Sequence, residues 1–191
     1  MWHNANTLSF RRENRRGFTI VELLIVIVVI GILAAIVIVA YNGIQQRANN
    51  TATIESISAY GRVLQSYATQ NGTYPIAVNY PCLGPNGVQC ANVTDGTTVC
   101  NGTGATAYSA TFDSAVRTIA SSIPGPSSQT ISCNGKQYAG GYYNSSADGK
   151  SSHITYFLAN TTNCGAPGGV AVSSTYGFSG GIECYSDLPG L

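Results

Sequence analysis

The sequence predicts an α+β protein: one long N-terminal helix, its first half membrane-spanning and its second half amphipathic, packed on a small antiparallel sheet head. Three observations carry this. Phe18 to Asn71 is helical in pattern and free of proline. Residues 73–191 are punctuated by turns and carry short alternating runs. Between them, Ile57, Tyr60, Leu64, Tyr67 and Ala68 share one helical face, a stripe that needs an apolar partner.

The chain has 191 residues, room for one domain and a stalk. It opens on a basic stretch with Arg11, Arg12, Arg15 and Arg16, then Gly17 and Phe18. From Leu23 to Tyr41 there is no charge and no proline. As a helix that run measures about 28 Å, close to the ~30 Å hydrocarbon core of a bilayer. The basic flank stays cytoplasmic by the positive-inside rule, which puts everything after Tyr41 outside. An ordinary signal peptide has a shorter apolar core followed by a small-residue cleavage site. Here Gly31, Ala34 and Ala35 lie inside the run instead. Glu22 is the anomaly: a carboxylate in an apolar segment costs about 2.5–3.5 kcal/mol and calls for a partner.

Arg16-Gly17-Phe18-Thr19-Ile20-Val21-Glu22-Leu23-Leu24 resembles the processing site of type IV prepilins and pseudopilins. The resemblance implies cleavage after Gly17 by a membrane prepilin peptidase and N-methylation of Phe18. It implies that the Glu22 carboxylate meets the N-terminal amine of a neighbouring, identical or related subunit. It also implies a bilayer before assembly, an inner-membrane assembly platform, and a surface filament afterwards. Many members of that family carry a proline near the middle of this helix; this chain has none before Pro75. The divisions expected are a leader at 1–17, a membrane or filament-core helix at 18–41, its amphipathic continuation at 42–72, and an extracytoplasmic head at 73–191.

Gln45, Gln46, Arg47, Asn49, Asn50, Glu55 and Arg62 supply the polar surface of the second helical half. Asn71-Gly72, followed by Tyr74-Pro75, stops the helix. Asn71-Gly72-Thr73-Tyr74-Pro75 also resembles pilin and pseudopilin sequences. In the head, turns fall at Gly84-Pro85-Asn86-Gly87, Asp95-Gly96, Pro124-Gly125-Pro126, Asp148-Gly149, Gly168-Gly169 and Gly180-Gly181. A short helix is expected at Phe112–Ser122, with Thr111 as N-cap and Pro124 as stop. Strands are expected at Gln137–Tyr143, His153–Ala159, Val170–Ser174, Thr175–Phe178 and Ile182–Tyr185.

Past residue 17 there remain five basic and seven acidic side chains, a balance of −2, with no basic stripe for nucleic acid. Charged residues are 9% of the chain, against about 25% in a typical soluble protein. Ser, Thr, Asn and Gly fill the surface instead, which suits an exported protein. All six cysteines lie in the head: Cys82, Cys90, Cys100, Cys133, Cys164 and Cys184. An even number on the oxidising side suggests three disulfides, with 15 possible pairings. A Cys164–Cys184 pair would resemble the C-terminal disulfide loop of many pilins, and a loop of that size contributes about 3 kcal/mol.

The chemistry-bearing residues form no catalytic set. Asp95, Asp113, Asp148, Glu183 and Asp187 make no recognisable pair, and His153, the one histidine of the head, precedes a strand pattern. No CxxC is present, so neither metal nor cofactor is expected. Asp148 and Asp187 resemble calcium ligands of some pseudopilins, but their spacing fits no EF-hand. Three functions follow. One is a structural subunit of a surface pilus for adhesion, motility or DNA uptake. Another is a pseudopilin of a secretion or competence system. The third is a membrane-anchored binding protein that never polymerises, in which Glu22 would have no partner.

Overall fold

The structure, a computed structural model, describes residues 17–77, 80–84, 90, 108–133 and 136–191. The first helix, α1, runs Ile20–Asn71 over 52 residues. It starts two residues after the expected Phe18 because Thr19 caps it. At the other end Gly72 takes a left-handed conformation (φ 73°) and its N–H donates to Ala68 O at 2.8 Å. A glycine makes that turn without a Cβ penalty.

Contacts divide the chain into two units, Met1–Asn42 and Gly43–Leu191. In the first, every described residue from Gly17 to Ile38 is exposed. Among the described residues, α1 is long and apolar enough to cross a membrane.

The second unit is built on a four-stranded antiparallel sheet. Its strands are β3 (Gly141–Ser145), β4 (Ser152–Ala159), β5 (Ala171–Phe178) and β6 (Gly181–Asp187), in the order β3-β4-β6-β5. Strand β1 (Ile131–Cys133) and β2 (Lys136–Tyr138) form a separate two-stranded sheet. The pleat of β4 sorts its residues between two cores. Ile154, Tyr156 and Leu158 join Ile57, Tyr60, Leu64 and Ala68 of α1, together with Tyr143, Ile182 and Cys184. Phe157 points the other way, into a cluster with Tyr138, Tyr142, Ile131, Cys82 and Cys90. Of the sequence-derived stripe, Tyr67 alone is only half-buried.

The tyrosines build these cores because their hydroxyls find backbone acceptors. Tyr74 Oη donates to Pro189 O at 2.7 Å, Tyr143 Oη to Pro75 O at 2.8 Å, and Tyr156 Oη to Cys164 O at 2.8 Å. Gly181 is required by close approach: a Cβ there would lie 2.1 Å from Leu158 O. Disulfides join Cys82 to Cys90 and Cys164 to Cys184.

Four expectations are corrected. Helix α2 spans Ala110–Arg117, shorter than Phe112–Ser122, and its N-cap is Ser109, whose Oγ accepts from Phe112 N–H at 3.3 Å. The run Gln137–Tyr143 is split between β2 and β3, because Gly140 turns left-handed (φ 62°) between them. Val170–Ser174 and Thr175–Phe178 are one strand, β5, which pairs with β6 along its length and absorbs a bulge between Val172 and Ser174. Strand β1 is too short to show a period. The arginines at 11, 12, 15 and 16, the turns at 85–87 and 95–96, and Cys100 lie outside the described residues.

Candidate functional site

The N-terminal end of α1 gathers Gly17, Phe18, Thr19 and Glu22. Thr19 is the N-cap, and Glu22 sits three residues on. Glu22 N–H donates to Thr19 Oγ1 at 3.2 Å, while Thr19 N–H reaches Glu22 Oε2 at 2.9 Å. The Thr19 hydroxyl donates to the same Oε2 at 2.8 Å. This is a reciprocal capping box, which satisfies amides that the first helical turn leaves open. The spacing Thr19-x-x-Glu22 is visible in the sequence, and it gives the Glu22 carboxylate a partner within its own chain.

The box fixes where the carboxylate is. It lies over the helix N-terminus, where the macrodipole favours negative charge. Phe18 is 87% exposed beside it, and a Cβ on Gly17 would meet nothing within 4 Å. The backbone at Gly17–Phe18 is thus open. The arrangement presents one positioned carboxylate at the start of an otherwise uncharged, exposed apolar segment.

Among its described residues the head brings together no comparable chemistry. His153, on β4, stands opposite Asp187 of β6 in the sheet register. Burial lowers its pKa, and the Asp187 charge acts the other way. Glu183 is 2% exposed and accepts a hydrogen bond from Tyr185 Oη at 3.0 Å; burial raises its pKa. Asp148 serves the β3–β4 turn, accepting from Ser146 Oγ at 2.6 Å and Lys150 N–H at 3.0 Å. A cleft of about 290 Å³ is lined by Tyr60, Asp113, Val116 and Arg117 among others. Its two charges pair with each other. No metal-holding cluster of His, Cys, Asp and Glu occurs among the described residues.

Comparison with known proteins bears on the N-terminal site. Residues 12–38 match the prokaryotic N-terminal methylation motif. The carboxylate at Glu22 and the Gly17–Phe18 bond fall inside the stretch that matches this motif. Among named relatives, the type II secretion system core protein G of Klebsiella michiganensis is 37% identical over 65 residues, 34% of this chain and 46% of that protein. Core protein G of Escherichia coli is 35% identical over 63 residues, 33% and 43%. The type IV wide pilus major component PilA4 of Thermus thermophilus is 37% identical over 62 residues, 32% and 47%. The chain thus spans less than half the length of each of these relatives. No solved structure shows a significant match.

Proposed function

We propose that this chain is the membrane-anchored precursor of a structural subunit of a type IV pilus-like surface filament, serving adhesion, motility or DNA uptake. The observation that carries the proposal is the Glu22 carboxylate, positioned by Thr19 at the head of an exposed apolar helix and within the methylation motif. On this reading residues 1–17 are a cytoplasmic leader. Prepilin peptidase cuts between Gly17 and Phe18, and Phe18 is N-methylated. The new ammonium gives a neighbouring subunit's Glu22 its opposite charge, where an unpaired charge in a dry bundle is costly. Residues 18–41 lie in the bilayer and later in the filament core. Residues 42–72 continue into an extracytoplasmic head at 73–191, whose six cysteines are all oxidised. The inner-membrane assembly platform extracts the subunit. The role is assembly, and no catalytic step is assigned to the chain.

A second reading, a pseudopilin of a secretion or competence system, is favoured by the relatives named as type II secretion core proteins. It shares the assembly chemistry and differs in filament length. Two measurements test the shared part. N-terminal sequencing of mature protein should begin at methylated Phe18; a start after Tyr41 would mark a conventional secretory signal. Glu22→Ala should leave membrane insertion and head folding intact while the ratio of sheared filament to membrane-bound subunit falls about tenfold or more, the effect of losing a charge pair of about 1.4 kcal/mol or more. Glu22→Asp should be intermediate. An unchanged ratio for Glu22→Ala would favour the anchored binding protein that never polymerises.

A further inference from the structure

The four-stranded sheet has two edges, and the chain treats them differently. Along β3 it covers its own edge. Leu83 N–H donates to Gly141 O and Tyr143 N–H to Pro81 O, both at 2.9 Å, and Cys82 bridges to Tyr142. Along β5 no described residue does so; its ladder is with β6 alone. Strand β5 has eight residues, none charged and none proline, and all but Phe178 are exposed.

Both faces of β5 are open as well. Thr175 and Gly177 pair with Cys184 and Ile182, whose side chains enter the core beneath α1. Yet Thr175 and Gly177 are exposed, and a Cβ on Gly177 would meet nothing within 4 Å. On the opposite face Tyr176 is 52% exposed. Proteins usually blunt such an edge with charge, proline or shortness, because its free backbone groups recruit another strand. Here the bulge at Ser173 is the one interruption, and Ser174–Phe178 beyond it is regular.

We propose that β5 is a strand-addition interface whose occupant is β5 of a second copy of this chain, running antiparallel. The edge asks for an extended, uncharged strand, and β5 itself meets that description. Antiparallel pairing of two identical strands is isologous, so each copy closes the other's edge at once. Residues 171–178 carry no charge, so no like charges oppose one another across the pair. A second copy has no other described open edge of this sheet to offer, since β3 is already covered.

The symmetry decides what such a contact joins. Successive subunits of one polar filament are related by a heterologous, propagating operation, whereas β5–β5 pairing is a two-fold that closes. The contact therefore joins heads on two filaments and bundles them. That last step rests on the filament reading above; the pairing itself does not.

Residues 43–191 contain both apolar clusters and both described disulfides, so sedimentation equilibrium on that head measures pairing directly. The parent head should dimerise reversibly. Thr175→Lys combined with Gly177→Lys sets like charges across a pair centred on Tyr176, and association should weaken about tenfold or more. Thr175→Glu with Gly177→Glu should weaken it equally, and mixing the two variants should restore dimers. Circular dichroism should show each variant folded, since both positions are exposed. A parent head that stays monomeric at millimolar concentration, or a lysine variant that pairs like the parent, overturns the proposal. On cells, the lysine variant should give as many sheared filaments as the parent, but unbundled. Absence of filaments from the parent would sink the filament reading and leave head pairing standing.

Discussion

Residues 20–38 and 43–71 belong to one helix, yet their side chains meet opposite fates. In the first stretch Ile27, Val28 and Ile30 are exposed, each by more than half. In the second, Ile57 and Leu64 are fully buried. Local hydrogen bonding makes both helical, since a helix satisfies its own backbone whatever surrounds it. Burial depends on a partner. The second stretch has one within the chain, the inner face of the sheet. The first has none among the described residues, and at about 25 cal/mol per Å² its exposed apolar surface would be costly in water. On the proposed reading, a bilayer and later neighbouring helices supply what the fold does not.

The second stretch is also held by polar contacts that the first lacks. Asn50 Nδ2 donates to Ala159 O at 2.9 Å, and Ala159 N–H donates to Asn50 Oδ1 at 3.0 Å. Ser56 Oγ donates to Pro124 O at 2.6 Å, and Ser58 Oγ accepts from Gly168 N–H at 2.8 Å. A helix docked in this way has a fixed register on the sheet. Among the described residues the exposed stretch carries no such pins.

The largest expected effect comes from truncating the buried face. Leu64→Ala should cost the head about 2–5 kcal/mol, whereas Ile27→Ala should stay within about 0.5 kcal/mol of the parent. Denaturant unfolding of the detergent-solubilised full chain, followed by tyrosine fluorescence, measures both. Equal losses at the two sites would erase the contrast.

A smaller effect is expected from the polar pins. Asn50→Ala removes both bonds to Ala159 and should cost about 1–3 kcal/mol. The exposed Asn42, changed to Ala, should move stability by no more than about 0.5 kcal/mol. Native-state hydrogen exchange at Ala159 would sharpen the comparison, since its amide should exchange faster only in the Asn50 variant.

The smallest effect concerns Glu183, where burial raises the pKa above the ordinary 4.5. The folded head then holds this proton more tightly than the unfolded chain. Its favourable contribution is fully present below the unfolded pKa and is lost as pH rises through the folded one. Glu183→Gln stays neutral and keeps an acceptor for Tyr185. Its melting temperature relative to the parent should therefore rise as pH is raised from 4 through 7. A difference independent of pH would show that the carboxyl is not destabilised in the fold.

What could be read from residues alone was whatever repeats or stands alone locally. The absence of proline from Phe18 to Asn71, the stripe from Ile57 to Ala68, the Gly72 stop and the lone Glu22 are all short-range patterns, and each names its element without knowing its neighbours. Even the Thr19–Glu22 capping box was legible, because its members are three residues apart. The rest depended on distant segments meeting. The pairing of Cys164 with Cys184 is one of many combinations until β6 and the loop before β5 lie side by side. The bulge at Ser173 follows from β5 having to match β6, and Gly140 breaks a run that looks continuous because β2 and β3 join different sheets. Asn50 reads as surface polarity along the helix; only docking on β4 sets it against Ala159. Local periodicity reports which face of a segment is apolar, but which partner arrives, in what register, is fixed by contacts across a hundred residues.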